Sequence, residues 1–196
     1  MKILAIDTST THSSCSVMED NNIVGDFSIN QSMSHNEILL VMVDEVLKKL
    51  NIDIEDIDLF VAVTGPGSFT GIRIGVTVVK ALAMALNKPI VAVNTLEALS
   101  FGVFSDKKKI PLIDARGERV YYGVYEGINN KNIGVGRMRE LRSARLPRTG
   151  TSRRKARSLR FRIWSSANRT LSAALMLASQ RSGRIARLGK EAIERT

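Results

Sequence analysis

Apolar residues recur at every second position near the start of the chain and at helical spacing further on. This change of period sorts the chain into elements. Lys2–Asp7 is a short apolar run that ends in an acid. Residues 13–19 alternate, with Cys15 and Val17 on one face, and Asn21-Asn22 turns the chain into residues 23–29. The pattern predicts three antiparallel strands joined in succession. His35–Leu50 has helical spacing, with Ser34 placed to cap it, Glu37 in its first turn and Lys48-Lys49 in its last. Leu59–Val63 is wholly apolar and predicts a buried strand. A glycine-rich run over residues 65–71 then leads into a second helix, which extends to about Asn87 before Pro89. Ile90–Val93 is another buried strand, Thr95 caps a short helix to about Phe101, and residues 109–114 and 119–125 form a strand pair.

The order βββαβαβα, followed by two strands, implies a mixed α/β sheet with helices packed against it. It is similar to one lobe of the actin-like ATPase (ribonuclease H-like) fold, in which two such lobes face each other. The predicted division is a first lobe over residues 1–104, the start of a second lobe over 105–134, and a tail over 135–196 that does not continue the design.

Charge changes this picture at the tail. The net charge is +10 over 196 residues. Residues 1–136 carry 12 Lys and Arg against 16 Asp and Glu, a balance of −4, whereas residues 137–196 carry 17 against 3, a balance of +14. Arginine use also reverses, from 3 Arg and 9 Lys to 15 Arg and 2 Lys. Any inference about partners therefore belongs to each segment separately. The tail has little hydrophobic period, and only residues 171–178 read as a helix. A reading-frame shift near residues 130–137 explains the change of usage; the rival is a basic arm that binds RNA, with Phe161 and Trp164 as its aromatics. One cysteine excludes an internal disulfide, and one Cys with two separated His makes no metal-site spacing. No run of eighteen apolar residues occurs, and the start of the chain reads as a strand rather than a signal peptide. A cytoplasmic location, without membrane contact, is expected.

Three places carry candidate chemistry. Asp7, Thr8, Ser9 and Thr10 end the first strand, where an actin-like fold approaches nucleotide phosphates and metal. The same residues also suit a hairpin turn that satisfies its own backbone. Gly65, Gly67, Ser68, Thr70 and Gly71 lie between strand and helix, where amides at a helix start favour anions. No Gly-Lys-Ser/Thr follows, and a tight turn allowing close helix packing accounts for the glycines as well. The third place is a pair of helices with more apolar surface than one sheet needs. Ile38, Leu39, Leu40, Met42, Val43, Val46, Leu47 and Leu50 cover an arc of about 200°. The second helix sets a polar stripe of Arg73, Thr77 and Lys80 in otherwise apolar surroundings, with Val76 beside it. This surplus suits either burial between two lobes or a protein–protein interface. His12 and His35 are isolated, and no nucleophile–base set emerges from spacing.

The run Gly65-Pro66-Gly67-Ser68-Phe69-Thr70-Gly71-Ile72-Arg73-Ile74-Gly75 resembles the TsaB (YeaZ) family. So do Ile3-Leu4-Ala5-Ile6-Asp7-Thr8-Ser9, Ser34-His35-Asn36-Glu37 and Ile113-Asp114-Ala115-Arg116 with Val120-Tyr121, all in the family's order. The resemblance covers about residues 1–128. It implies a relation to the TsaD transferases, once grouped with this family as glycoproteases, whose metal-binding helix carries two histidines four residues apart. Thr95 and Leu99 stand at the matching positions, and leucine cannot ligate a metal. The resemblance therefore implies a chain with no catalytic residue, no metal and no cofactor of its own. That chain would be a dimerisation subunit that pairs with TsaD-like and TsaE-like proteins or with itself. ATP, metal and tRNA would act through the complex, in threonylcarbamoylation of the adenosine next to the anticodon. The alternatives from the residues themselves are an ATP-dependent phosphotransferase built on Asp7–Thr10 and an RNA-binding protein acting through the basic tail.

Overall fold

The computed structural model describes residues 1–30, 35–103, 109–115, 119–125, 127–128, 131–132, 139–142 and 174–175. The three opening strands are β1 (Lys2–Asp7), β2 (His12–Glu19) and β3 (Asn22–Asn30). β2 pairs antiparallel with both β1 and β3. Asp20 and Asn21 both have positive φ, 46° and 71°, and make the turn between β2 and β3. Two successive residues of that hand match the twist of a tight hairpin, which places the turn one residue earlier than the Asn21-Asn22 pair suggested.

Helix α1 (His35–Leu50) carries the chain across to β4 (Leu59–Val63), which pairs parallel with β1. The cap expected at Ser34 lies outside the described residues. Helix α2 (Phe69–Ala85) returns the chain to β5 (Ile90–Val93), parallel to β4. α2 starts three residues before the apolar period does. Ser68 is extended, and its hydroxyl accepts a hydrogen bond from the Gly71 amide at 3.3 Å, so the cap sets the boundary. Helix α3 (Thr95–Phe101) is capped by Asn94 rather than by Thr95. The Asn94 side-chain oxygen accepts from the amides of Leu96 and Glu97 at 2.9 and 3.3 Å.

The resulting sheet has the order β3-β2-β1-β4-β5, which is the mixed lobe of the actin-like fold. One face packs against α1 and α2 through Leu4, Ile6, Val17, Phe60 and Ala62, with Leu39, Met42, Val43, Val46 and Val79 from the helices. The other face buries Ile3, Ala5, Val61, Val63, Val91 and Val93 beneath Ala98 and Phe101 of α3 and beneath Ala174 and Leu175. Alternation along β1 and β4 sends successive residues to the two layers.

A second sheet has the order β10-β7-β6, from β6 (Leu112–Asp114), β7 (Arg119–Tyr122) and β10 (Arg139–Arg142). β6 is shorter than the predicted 109–114 because Pro111 lacks an amide to continue the ladder. Lys109 joins the sheet only through a bridge to Tyr125. A two-residue pair, β8 (Gly127–Ile128) with β9 (Lys131–Asn132), follows. The sequence pattern predicts none of β8, β9 and β10. β10 is Arg-Glu-Leu-Arg, without useful apolar alternation, and is held by antiparallel backbone pairing to β7. Among the described residues no helix is long and apolar enough to cross a membrane.

Candidate functional site

Asp7 ends the central strand of the five-stranded sheet, and the next two residues turn inward toward the start of α2. Asp7, Thr8 and Ser9 are all buried. The Ser9 amide donates to Asp7 Oδ1 at 2.8 Å. Thr8 Oγ1 donates to the Gly71 carbonyl at 2.6 Å, and the Ser68 amide donates to the Ser9 carbonyl at 2.7 Å. The strand end and the glycine-rich loop thus hold each other. A Cβ on Gly67 would collide with the Ser9 carbonyl, and one on Gly71 would collide with the Thr8 carbonyl. These glycines allow two backbones to touch.

Electrostatics follow the burial. Desolvation pushes the Asp7 carboxyl above its ordinary range, and the Ser9 hydroxyl and amide pull the other way. The carboxyl is turned into a hydrogen-bonded clasp. The Ser68 and Gly71 amides, which a phosphate at the helix start would need, are engaged by Ser9 and by the cap. Thr10 lies at the clasp's edge, where its hydroxyl accepts from the His12 amide at 3.1 Å. Thr70 is exposed on the first turn of α2. The Ser9 and Thr95 hydroxyls are buried without a hydrogen-bond partner.

Thr95 begins α3 and Leu99 is partly buried within it. Among the described residues no group of three or more His, Cys, Asp or Glu is placed to hold a metal ion.

The nine residues predicted for a partner surface separate into two layers. Leu39, Met42, Val43 and Val46 are buried in the chain's own core, where α1 packs on β2 and β3 and beside α2, which corrects their assignment to an outer face. The sheet needs them, because α1 lies across several strands and not along one. Ile38 and Val76 are partly buried at the border of the same core. Leu40, Arg73 and Lys80 face outward. Beside them the structure adds three apolar residues that sequence reasoning did not single out: Val41, Phe69 and Met84, which are 57%, 68% and 79% exposed. Phe69, Arg73, Lys80 and Met84 fall within about 60° of one another at 100° per residue, a stripe legible only when the helix begins at Phe69. The Arg73 guanidinium sits 3.9 Å from the centre of the Phe69 ring, which gives the stripe a cation–π pair.

Known proteins place this geometry in context. The family model of TsaD, tRNA N6-adenosine threonylcarbamoyltransferase, matches residues 22–142. The tRNA threonylcarbamoyladenosine biosynthesis protein TsaB of Bacillus subtilis is 35% identical over 127 residues, which are 64% of this chain and 56% of that protein. A solved Pseudomonas aeruginosa protein described as similar to the peptidase YeaZ superposes with a TM-score of 0.67 at 30% identity, covering 74% of this chain and 68% of that one. YeaZ from Pseudomonas aeruginosa superposes with a TM-score of 0.65 at 29% identity, covering 78% and 72%. The chain spans 56 to 60% of the length of the curated TsaB relatives it matches first.

Proposed function

The chain belongs to the TsaD-type tRNA N6-adenosine threonylcarbamoyltransferase family, on its TsaB and YeaZ side, and we propose that it is the non-catalytic, partner-binding subunit of a tRNA threonylcarbamoyladenosine machinery. Its partner is a TsaD-like transferase, with a TsaE-like protein in the same system and a second copy of the chain as the occupant when it is alone. tRNA, ATP and metal engage the complex. The observation that carries this reading is the outward stripe of α2. Phe69, Arg73, Lys80 and Met84 expose two large apolar side chains with two cations between them, above a core that is complete without them. α1 contributes Leu40 and Val41. Such a surface suits an interface with an apolar centre and an arginine anchor.

The clasp at Asp7 favours this reading over an ATP-using phosphotransferase, because the Ser68 and Gly71 amides at the start of α2 are already engaged. Thr95 and Leu99 at the positions of the transferase's metal ligands support a role without chemistry. The test pairs the full chain with a TsaD-like transferase from the same system and measures the dissociation constant. Leu40→Asp and Phe69→Asp change only exposed side chains, so both should fold as the parent does. Each should weaken pairing by about 1–3 kcal/mol, roughly five- to more than a hundredfold. An unchanged constant for both variants, in hetero-pairing and in self-association, would overturn the assignment of the surface. Transferase turnover by the purified chain alone would overturn the non-catalytic role.

A further inference from the structure

The face of the five-stranded sheet opposite α1 and α2 needs more cover than α3 supplies. Five strands at ~4.8 Å spacing span about 19 Å. A seven-residue helix such as α3 is roughly 10 Å long. Yet Ala5, Val61, Val63 and Val93 on that face are all buried. Among the described residues, further cover comes from far along the chain: Ala174 and Leu175 are helical, are 0% exposed, and belong to the same apolar cluster. They lie inside the Arg-rich stretch that sequence analysis set apart from the fold, within the predicted helix over residues 171–178.

We infer that the segment carrying Ala174 and Leu175 is an internal clamp that docks on the β1–β4–β5 face and completes the first lobe's core. Ala174 and Leu175 then belong to the fold. Their removal uncovers part of the β1–β4–β5 face, so the lobe depends on residues more than 70 positions beyond the end of α3. The inference rests on packing alone and is independent of the proposed partner and reaction. It also requires the reading frame of the tail, whatever its origin, to supply a usable apolar pair at this point.

Two measurements on the full chain test it. With Ile, Leu and Val methyl labelling, the Leu175 methyls should give nuclear Overhauser contacts to methyls of Val61, Val63 or Val93. Leu175→Ala should lower the melting temperature by roughly 5–10 °C, the size expected for a leucine truncated in a core. Val103→Ala, at an exposed valine outside the proposed partner surface, should shift it by no more than about 2 °C. Leu175 methyls with no contact to any residue of the sheet would overturn the inference. So would a Leu175→Ala variant that melts with the parent.

Discussion

Replacing Gly71 with alanine tests the contact that holds the glycine-rich loop to the central strand. At an ordinary interior helix position this change stabilises by up to ~1 kcal/mol, since glycine has the larger backbone entropy to lose. Here the sign should reverse. The new methyl would be driven into the Thr8 carbonyl oxygen, which is backbone and cannot swing aside. Relief requires α2 to move away from the β1 end, and overpacking of this kind costs about 1–3 kcal/mol. The same movement stretches the 2.6 Å bond from Thr8 Oγ1 to the Gly71 carbonyl, a loss of about 0.5–1.5 kcal/mol. The net expectation is a destabilisation of about 2 kcal/mol after the propensity gain is deducted. Urea unfolding followed by circular dichroism reads it directly, as a lower midpoint with an unchanged slope. Thr77→Ala, exposed on the same helix, is the reference for propensity without collision and should be neutral or slightly stabilising. A Gly71→Ala chain as stable as the parent, or more stable, would refute the claim that the two backbones touch.

Two further outcomes follow from charge. Burial raises the Asp7 carboxyl from 3.8, so the fold favours its protonated form; the stability this contributes is full below the unfolded value and is lost as pH rises through the folded one. Asp7→Asn keeps the oxygen that accepts from Ser9, so its stability relative to the parent should climb with pH above about 4 and then level off. Denaturation series across pH check it, and a flat difference would exclude the buried-carboxyl account. The second concerns RNA. With a balance of +14 over residues 137–196, the full chain should retain tRNA at low salt, release it steeply as salt rises, and hold non-cognate tRNA equally well. A preference for cognate tRNA above about tenfold that persists in salt would identify a specific basic arm instead.

The first lobe was readable because its sequence states each element twice, by period and by boundary residue. β1 ends at an acid, α1 ends at a lysine pair, and β4 and β5 stop where Thr64-Gly65 and Asn94-Thr95 break the apolar run. Misplaced boundaries came from side-chain caps. Ser68 and Asn94 accept amide hydrogen bonds and start helices ahead of the apolar period, which carries no information about caps. The proposed partner surface was only half legible for a related reason. Helical spacing shows that α1 has apolar residues over a wide arc, but not how much of that arc the sheet consumes. Only the packing of α1 across β2 and β3 shows that Met42 and Val46 belong inside and Leu40 outside.

The tail was the least legible part, because composition speaks for a segment as a whole and packing is decided residue by residue. Fifteen arginines and no sustained period over residues 137–196 imply, on average, a stretch with too little apolar area to offset its chain entropy. That average is compatible with one short apolar run finding a face that lacks cover. The lobe offers such a face, and the cost of closing a long loop onto it grows only as the logarithm of its length, so ~70 intervening residues add little over 30. Burial of one leucine and its neighbour returns several kcal/mol at about 25 cal/mol per Å². An apolar face open on a mixed sheet therefore selects its cover by local hydrophobicity, wherever along the chain that lies. Leu175 can serve the core although the composition around it is that of a stretch too poor in apolar residues to build one.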